Sequence, residues 1–439
     1  MVTSSAFSAR YAPAGHLFDV GGPAAFPKSE LVKPVAAYLN SNVFQKIIKV
    51  INPTLNFNSG DIAKLPFIES VANDPDLNHT IESLITAHRA DWDNFETSWD
   101  FQDLPVLRDE LKTDTLGATW ANWDRYCRDN IARMKELEEK NNRLWIDAYG
   151  LQDELTPEVP EKEITLARAD PRKDMAAFIS YAIGCMFGRY SLEVSGLVLA
   201  DAGATVEDYY RIVAEKANTV ASGQGLVASG GEENLATGHQ PLATKFHPDA
   251  DNIIPVLDSE WFEDDIVARF REFLKVTFGE ASLRENLQFI EESLGKDLRK
   301  YLVSDFYKDH LQTYKKRPIY WLFQSPKKSF QALIYLHRYD RDTVNLLLND
   351  YLREFQNKLQ NRRQHLYEIL ASESTSARDK TAATKEQAKI DKSLTELADW
   401  ERDVILPLAQ QRLEIDLDDG VKQNYPKFGP ALAKIPGVS

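Results

Sequence analysis

The chain has 439 residues and a mass of 49.9 kDa, enough for two to four domains at ~150 residues each. Hydrophobic residues make up 43% and charged residues 27%, ordinary globular usage that excludes a chain disordered throughout. Fifty-two Lys+Arg against 67 Asp+Glu give a net charge of −15, which argues against a protein that coats nucleic acid over its whole surface.

In chain order, Ala6–Tyr11 reads as a short strand, Ala12-Pro13-Ala14-Gly15 as a turn, and His16–Val20 as the return strand. A helix is predicted over Ser29–Val50, because Val35, Leu39, Val43, Ile47 and Val50 keep helical spacing; Pro53 ends it. Leu65-Pro66-Phe67 reads as an edge strand, and residues 80–150 as helical. There Trp120, Trp123, Cys127, Ile131, Met134 and Leu137 form a narrow stripe that Leu144, Trp145 and Ala148 resume after the polar Asn141, with Gly150 as the C-cap.

Three prolines between Leu155 and Pro171 mark a boundary. Residues 172–217 read as a compact helical segment, and 217–252, rich in Gly, Ala, Ser and Thr, as a long loop. Asp258 or Ser259 is expected to cap a helix that buries Phe262, Ile266, Phe270, Phe273 and Leu274 and stops at Gly279. Val344, Leu347, Tyr351, Phe355, Leu359 and Leu366 lie on another long helix. Residues 372–392 read as a solvated helix or a hinge, and Ser393 with Glu396 as a capping box. The expected fold class is α+β, predominantly helical, in four parts: 1–75, 76–155, 156–257 and 258–439.

No phosphate-binding G-x-x-x-x-G-K-[ST] loop and no G-x-S-x-G elbow occurs; Gly295-Lys296 is followed by Asp297. Gly223-Gln224-Gly225 lacks the third glycine of a dinucleotide site. His247, Asp249 and Asp251 alternate as metal ligands could, but a polar turn before Ile253 is the preferred reading, since hard metals need more oxygen ligands. Cys127 and Cys185 sit in apolar sequence and read as core residues; two cysteines rule out a disulfide scaffold. No run of eighteen apolar residues and no signal-like N-terminus are present, so a cytoplasmic protein without membrane contact is expected.

The positive signal is local. Residues 296–363 hold 15 Lys+Arg and 7 Asp+Glu, a local +8 that leaves −23 on the rest. Within it run Tyr314-Lys315-Lys316-Arg317-Pro318-Ile319-Tyr320-Trp321, then Lys327-Lys328, then His337-Arg338-Tyr339. Cations neutralise phosphates and aromatics stack on exposed bases. The competing reading is a solvated basic face with Tyr320, Trp321 and Phe323 in the core. Arg10 and Tyr11 flank the first turn, where a hairpin Arg could reach DNA or simply close a surface ion pair.

Phe7-Ser8-Ala9-Arg10-Tyr11, Phe18-Asp19-Val20-Gly21-Gly22, Leu39-Asn40-Ser41 and Asn52-Pro53-Thr54-Leu55-Asn56-Phe57 resemble the target-recognition end of adenine-specific DNA methyltransferases. Phe95-Glu96-Thr97-Ser98-Trp99-Asp100-Phe101, Trp145–Leu151, Ile183–Tyr190 and Tyr314–Phe323 resemble the PglX family of BREX phage-defence systems more specifically. The resemblance runs from Thr3 to about Pro436. It implies methyl transfer from S-adenosylmethionine to adenine N6 in a complete enzyme. The Asn/Asp-Pro-Pro-aromatic motif of that chemistry is absent, there being no Pro-Pro dipeptide, as is a glycine-rich cofactor turn after a strand. The chain therefore resembles the C-terminal portion of such an enzyme, with no catalytic, cofactor-binding or metal residue assigned.

By that resemblance, 1–75 is part of a target-recognition domain, 76–155 a helical spacer, 156–257 a second recognition or docking region and 258–439 a helical C-terminal domain. Arg10, Tyr11, Lys315, Lys316, Arg317, Lys327, Lys328 and Arg338 become the candidate contacts to double-stranded DNA. A catalytic methyltransferase half or other BREX proteins are the expected partners. The rival reading is a non-catalytic scaffold within a defence complex.

Overall fold

Helical periodicity dominates the computed structural model, which describes residues 7–18, 24–52, 54, 57, 59–221 and 246–438. Its described residues form a predominantly helical α+β fold with one three-stranded antiparallel sheet. The chain divides into two compact units, Met1–Ser98 with Ala121–Ala169, and Trp99–Trp120 with Asp170–Ser439. The last of the three breaks, between Ala169 and Asp170, lies in the proline-containing stretch 155–171.

In the first unit the expected Ser29–Val50 helix is interrupted. A 3-10 turn (Ser29–Leu31) leads into α1 (Val32–Leu39), and α2 (Asn42–Ile51) starts afresh after Ser41. Ser41 is extended, and its Oγ accepts the Phe44 N–H at 3.2 Å, an N-cap that outweighs the continuous apolar spacing. Short helices α3 (Ser59–Ile62) and α4 (Glu69–Ala72) follow. Asp74 then caps α5 (Pro75–Trp92), with Pro75 in the first turn.

The expected N-terminal hairpin does not form among the described residues, although the turn at Ala14-Gly15 is present. Asn40, at the C-cap of α1, and Gln45 of α2 take the backbone groups that a return strand would have met. Asn40 accepts the Ala9 N–H and donates to the Ala9 carbonyl, both at 3.1 Å, and Gln45 donates to the Phe7 carbonyl at 2.7 Å. Phe7 is buried 4.8 Å from Phe44 and 5.3 Å from Phe57. Residues 1–6 and 19–23 of that expectation lie outside the described residues. Leu65-Pro66-Phe67 is likewise not a strand; Phe67 packs on Tyr38 and Trp145, and Tyr149 donates to the Pro66 carbonyl.

The stripe on α6 (Leu116–Tyr149) buries Trp123, Cys127, Ile131, Met134 and Trp145. The polar interruption in the stripe binds helix ends. Asn141 donates to the Ala37 carbonyl at 3.1 Å, and Asn142 accepts the Asn42 N–H at 2.9 Å. Gly150, at φ +67°, ends the helix, and the Leu151 N–H closes back on the Ile146 carbonyl at 3.0 Å.

In the second unit, α7 (Pro171–Met186) is buried on most of its surface from Met175 onward, including Cys185. Next comes α8 (Val206–Ala221), which extends into the expected loop; residues 222–245 of that loop lie outside the described residues. Strand β1 (Ile254–Pro255) leads to α9 (Ile266–Phe278), whose cap is Asp265 rather than Asp258 or Ser259. The buried Asp265 carboxylate accepts the Val267 N–H at 3.0 Å and pairs with Arg299 at 2.8 Å, a partner that local sequence does not reveal. Phe262 lies outside the helix, against Tyr351. Helices α10 (Leu283–Leu294), α11 (Leu298–Ser304) and α12 (Phe306–Thr313) complete this layer.

The helical expectation for 258–439 then breaks at β2 (Tyr320–Gln324) and β3 (Gln331–Tyr335). Both are buried on both faces, so neither shows the alternation that marks a strand in sequence. The sheet order is β1-β3-β2, with Leu322 opposite Leu333. Helix α13 (Thr343–Leu346) continues through a π-helical turn (Leu347–Leu352) into α14 (Arg353–Ala371).

An antiparallel partner, α15 (Ala377–Trp400), buries Ala383 and Ile390 in one core with Leu359 and Leu366. Ser376 caps α15; Glu396 is mid-helix and not part of a capping box. Its buried carboxylate accepts the Lys327 N–H and the Ser329 hydroxyl, holding the β2–β3 turn. A second π-helical turn (Glu401–Ile405), α16 (Leu406–Gln411) and α17 (Val421–Asn424) end the regular structure.

Replacing Glu396 by Ala leaves the Lys327 N–H without its acceptor. The loss expected in denaturant unfolding is about 1–3 kcal/mol, with Glu396→Gln retaining part of it.

Candidate nucleic-acid interface

Fifteen cations between residues 296 and 363 are not fifteen free charges. Eight of them, Lys296, Arg299, Lys308, Arg341, Arg353, Lys358, Arg362 and Arg363, are ion-paired. Lys315, Lys316, Arg317, Lys327 and Lys328 are exposed, as is Lys300, and none forms an ion pair among the described residues.

Lys315, Lys316 and Arg317 follow the C-terminus of α12, where cations favour the helix dipole. Lys315 and Lys316 adopt positive φ, 50° and 63°, and the Lys316 N–H returns to the Leu311 carbonyl at 2.7 Å. Buried His310 then positions the start of β2, its Nε2 accepting the Ile319 and Tyr320 N–H groups at 3.2 Å each. Lys327 and Lys328 sit at the far end of that strand, Lys328 at φ 63°. A five-residue strand puts roughly 17 Å between its ends. The basic stretch, contiguous in sequence, is thus two clusters separated by a buried strand; Tyr320, Trp321 and Phe323 are core.

Arg338 does not join them. It is 8% exposed, and its guanidinium donates to the carbonyls of Asp249 at 2.8 Å, Ala250 at 3.0 Å and Phe187 at 3.3 Å. Those bonds make it a structural clamp rather than a phosphate contact. Arg10 and Tyr11 belong to the first unit. Arg10 is exposed, with Nη1 donating to the Ala9 carbonyl at 2.9 Å, and Tyr11 is 37% exposed. Burial pushes the nearby Glu138 carboxyl up to about 7, an effect that the Arg10 charge opposes and Glu163 reinforces.

Sequence reasoning missed a third group of cations. Residues 421–438 contain Lys422, Lys427 and Lys434 and no acidic residue, which was a readable signal. All three are exposed. The segment packs along β2: Trp321 meets Tyr425 and Phe428, Leu432 bridges to Phe323, and the Ala433 N–H donates to the Leu322 carbonyl at 2.9 Å. Antiparallel register carries Lys434 toward the end of β2 that follows Arg317.

The residues weighed for metal binding do other work. Asp249 and Asp251 both accept the Ile253 N–H, at 3.2 and 3.1 Å, and the Tyr351 hydroxyl lies 2.8 Å from Asp251 and 2.7 Å from Asp264, its one proton serving either carboxylate. His247 Nδ1 lies 2.9 Å from the Tyr210 hydroxyl. No cluster of His, Cys, Asp and Glu suited to a metal occurs among the described residues. No helix among them is long and apolar enough to cross a membrane. Gly223-Gln224-Gly225 lies outside the described residues.

Arg338→Ala should cost roughly 3 kcal/mol in denaturant unfolding, because three carbonyls lose a charged donor. Burial first, and the Asp251 charge second, raise the Asp249 carboxyl to about 7. The folded chain then holds a proton that the unfolded chain releases near pH 4, so this group's contribution falls as pH rises from about 4 to 7. Asp249→Asn keeps the acceptor without the charge. It should raise the melting temperature relative to the parent at pH 8 and lose that advantage by pH 4, read by thermal scans across pH.

No family model matches the chain. It is 36% identical over 441 residues to the adenine-specific methyltransferase PglX of Lacticaseibacillus casei (strain Zhang), covering 97% of this chain and 34% of that protein. It is 32% identical over 471 residues to the adenine-specific methyltransferase BrxX of Escherichia coli O9:H4 (strain HS), covering 100% of this chain and 36% of that protein. The chain spans about a third of the length of these curated relatives. Along its whole length the chain is therefore PglX-like, a homologue of part of the adenine-specific methyltransferases PglX and BrxX.

Proposed function

We propose that this chain holds and recognises DNA for a BREX-type methyltransferase that modifies adenine N6, as the C-terminal portion of such an enzyme. Methyl transfer from S-adenosylmethionine is assigned to a catalytic half, not to residues of this chain. The observation that carries the reading is the set of exposed cations without carboxylate partners among the described residues around the β2–β3 hairpin: Lys315, Lys316, Arg317, Lys327 and Lys328, with Lys422, Lys427 and Lys434 alongside. In a chain of net charge −15, a surface where cations stand unneutralised is where a phosphate backbone gains most. Arg10 and Tyr11 would serve the target-recognition end. Such contacts hold the duplex in register and carry no sequence code themselves. The work belongs in the cytoplasm, with the catalytic half or other BREX proteins as partners.

The acidic remainder favours a second reading, a non-catalytic scaffold in a defence complex, because acidic surfaces repel DNA. Duplex binding by the full chain at several salt concentrations, with and without S-adenosylmethionine, separates the two. Salt-sensitive binding indifferent to the cofactor is expected. Combined Lys315→Ala, Lys316→Ala and Arg317→Ala substitutions should shrink the slope of log K against log salt by about 0.9 for each phosphate they no longer neutralise. An unchanged slope removes these three residues from the interface, and no binding at low salt favours the scaffold.

A further inference from the structure

Helices α5 and α6 of the first unit enclose a groove of about 300 Å³, at the lower end of the range for small-ligand sites. The two helices run in opposite directions. Lys140, late in α6, pairs with Asp76 at the start of α5 at 3.0 Å, while Tyr126, earlier in α6, shares the groove with Ala90 near the end of α5. Every lining residue belongs to this unit, and none is among the lysines offered to duplex DNA.

Helix α5 supplies a wall of short side chains at helical spacing, Ser83, Ala87 and Ala90. Helix α6 faces it with Tyr126, Asn130 and Arg133, again on one helix face. The antiparallel register sets Tyr126 across from Ala90 and Arg133 across from Ser83. Tyr126 is 38% exposed, and its ring is held in a stacked pair with Trp123, centroids 5.6 Å apart at 22°. Asn130 and Arg133 make no side-chain hydrogen bond or ion pair among the described residues. The acids of the groove are engaged: Glu82 pairs with Lys33, and both oxygens of Asp91 accept the Ala167 N–H at 3.1 Å. The permanent charge left unanswered is therefore the Arg133 guanidinium. Asn94, 5% exposed, belongs to the lining beyond Ala90, and its Oδ1 has no hydrogen-bond partner among the described residues.

The groove thus presents a flat aromatic face opposite small side chains, then an amide that both donates and accepts, then a cation without a counter-ion. Seven residues separate Tyr126 from Arg133, roughly 10 Å along the helix. A base, a sugar and a phosphate come in that order and span a comparable length. Stacking suits any base, amides meet its polar edge, and a guanidinium matches phosphate oxygens. We propose that this groove binds a single nucleotide, its base between Tyr126 and the alanine wall and its phosphate on Arg133. The source of that nucleotide is either an unpaired position in DNA or the free monophosphate. The site does not depend on where duplex DNA is held.

Calorimetry on the full chain tests it, with deoxyadenosine 5′-monophosphate, deoxyadenosine and deoxyribose 5-phosphate as probes. Saturable binding of the nucleotide is expected, with each fragment about tenfold weaker. Arg133→Ala should bring the nucleotide down to the affinity of deoxyadenosine. Ala90→Trp, which fills the groove from an exposed position, should remove binding of all three while thermal scans show a folded chain. Combined Lys315→Ala, Lys316→Ala and Arg317→Ala substitutions should leave nucleotide binding unchanged, which separates this site from the duplex contacts. A DNA hairpin with one bulged adenine is then titrated against the nucleotide-loaded chain. Competition that a fully paired hairpin does not show assigns the site to an unpaired nucleotide in DNA, and its absence assigns a free nucleotide; either result keeps the groove as a nucleotide site. No saturable nucleotide binding, deoxyribose 5-phosphate bound as tightly as the nucleotide, or binding indifferent to Arg133→Ala and Ala90→Trp overturns the proposal. So does nucleotide binding lost with the three lysine and arginine substitutions.

Discussion

Strands β2 and β3 are buried on both faces, and a hairpin in that position must have each of its polar groups met from another part of the chain. Much of the second unit can be understood as that supply. His310 of α12 accepts two N–H groups at the start of β2, Glu396 of α15 binds the turn, and the Ala433 N–H meets the Leu322 carbonyl along the outer edge. Asn252 exchanges two hydrogen bonds with the Tyr335 backbone at 3.0 Å each. The adjacent α12 and three segments distant in sequence are thereby tied to one hairpin, which also sets where its flanking lysines emerge.

That constraint explains why the basic stretch behaves as it does. A strand with a buried face cannot carry lysines, so cations are displaced to its two ends, and the aromatic residues between them fill the core. Eight other cations of the region form ion pairs within the fold, among them those to Glu260, Asp265, Glu386, Asp391 and Glu401. Local charge density in sequence therefore overstates the surface field, while the lysines of residues 421–438 add to it from far along the chain.

The first unit solves a different problem. Its N-terminal segment has no neighbouring strand among the described residues, yet Asn40 and Gln45 satisfy the backbone of Phe7 and Ala9. Side-chain amides here do the work of a ladder, and Phe7 supplies the apolar anchor. Similarity to PglX and BrxX runs through both units, although the chain covers only about a third of those proteins.

Helices were legible because their determinants are local. The stripe from Trp123 to Trp145, the left-handed glycine at 150 and the stop at Gly279 depend on neighbours within a turn or two. The residues that carry the family resemblance could also be read directly, as could the net charge. Tertiary structure decided whatever rests on partners far apart in the chain: the cap at Asp265 in place of Asp258 or Ser259, the burial of Arg338, and the strands hidden in continuous apolar runs. It also decided which lysines remain free, since an ion pair such as Arg353 with Glu401 joins residues that no local pattern links. Side-chain spacing along one helix is written in the sequence, but the neutralisation of a charge depends on what folding brings beside it.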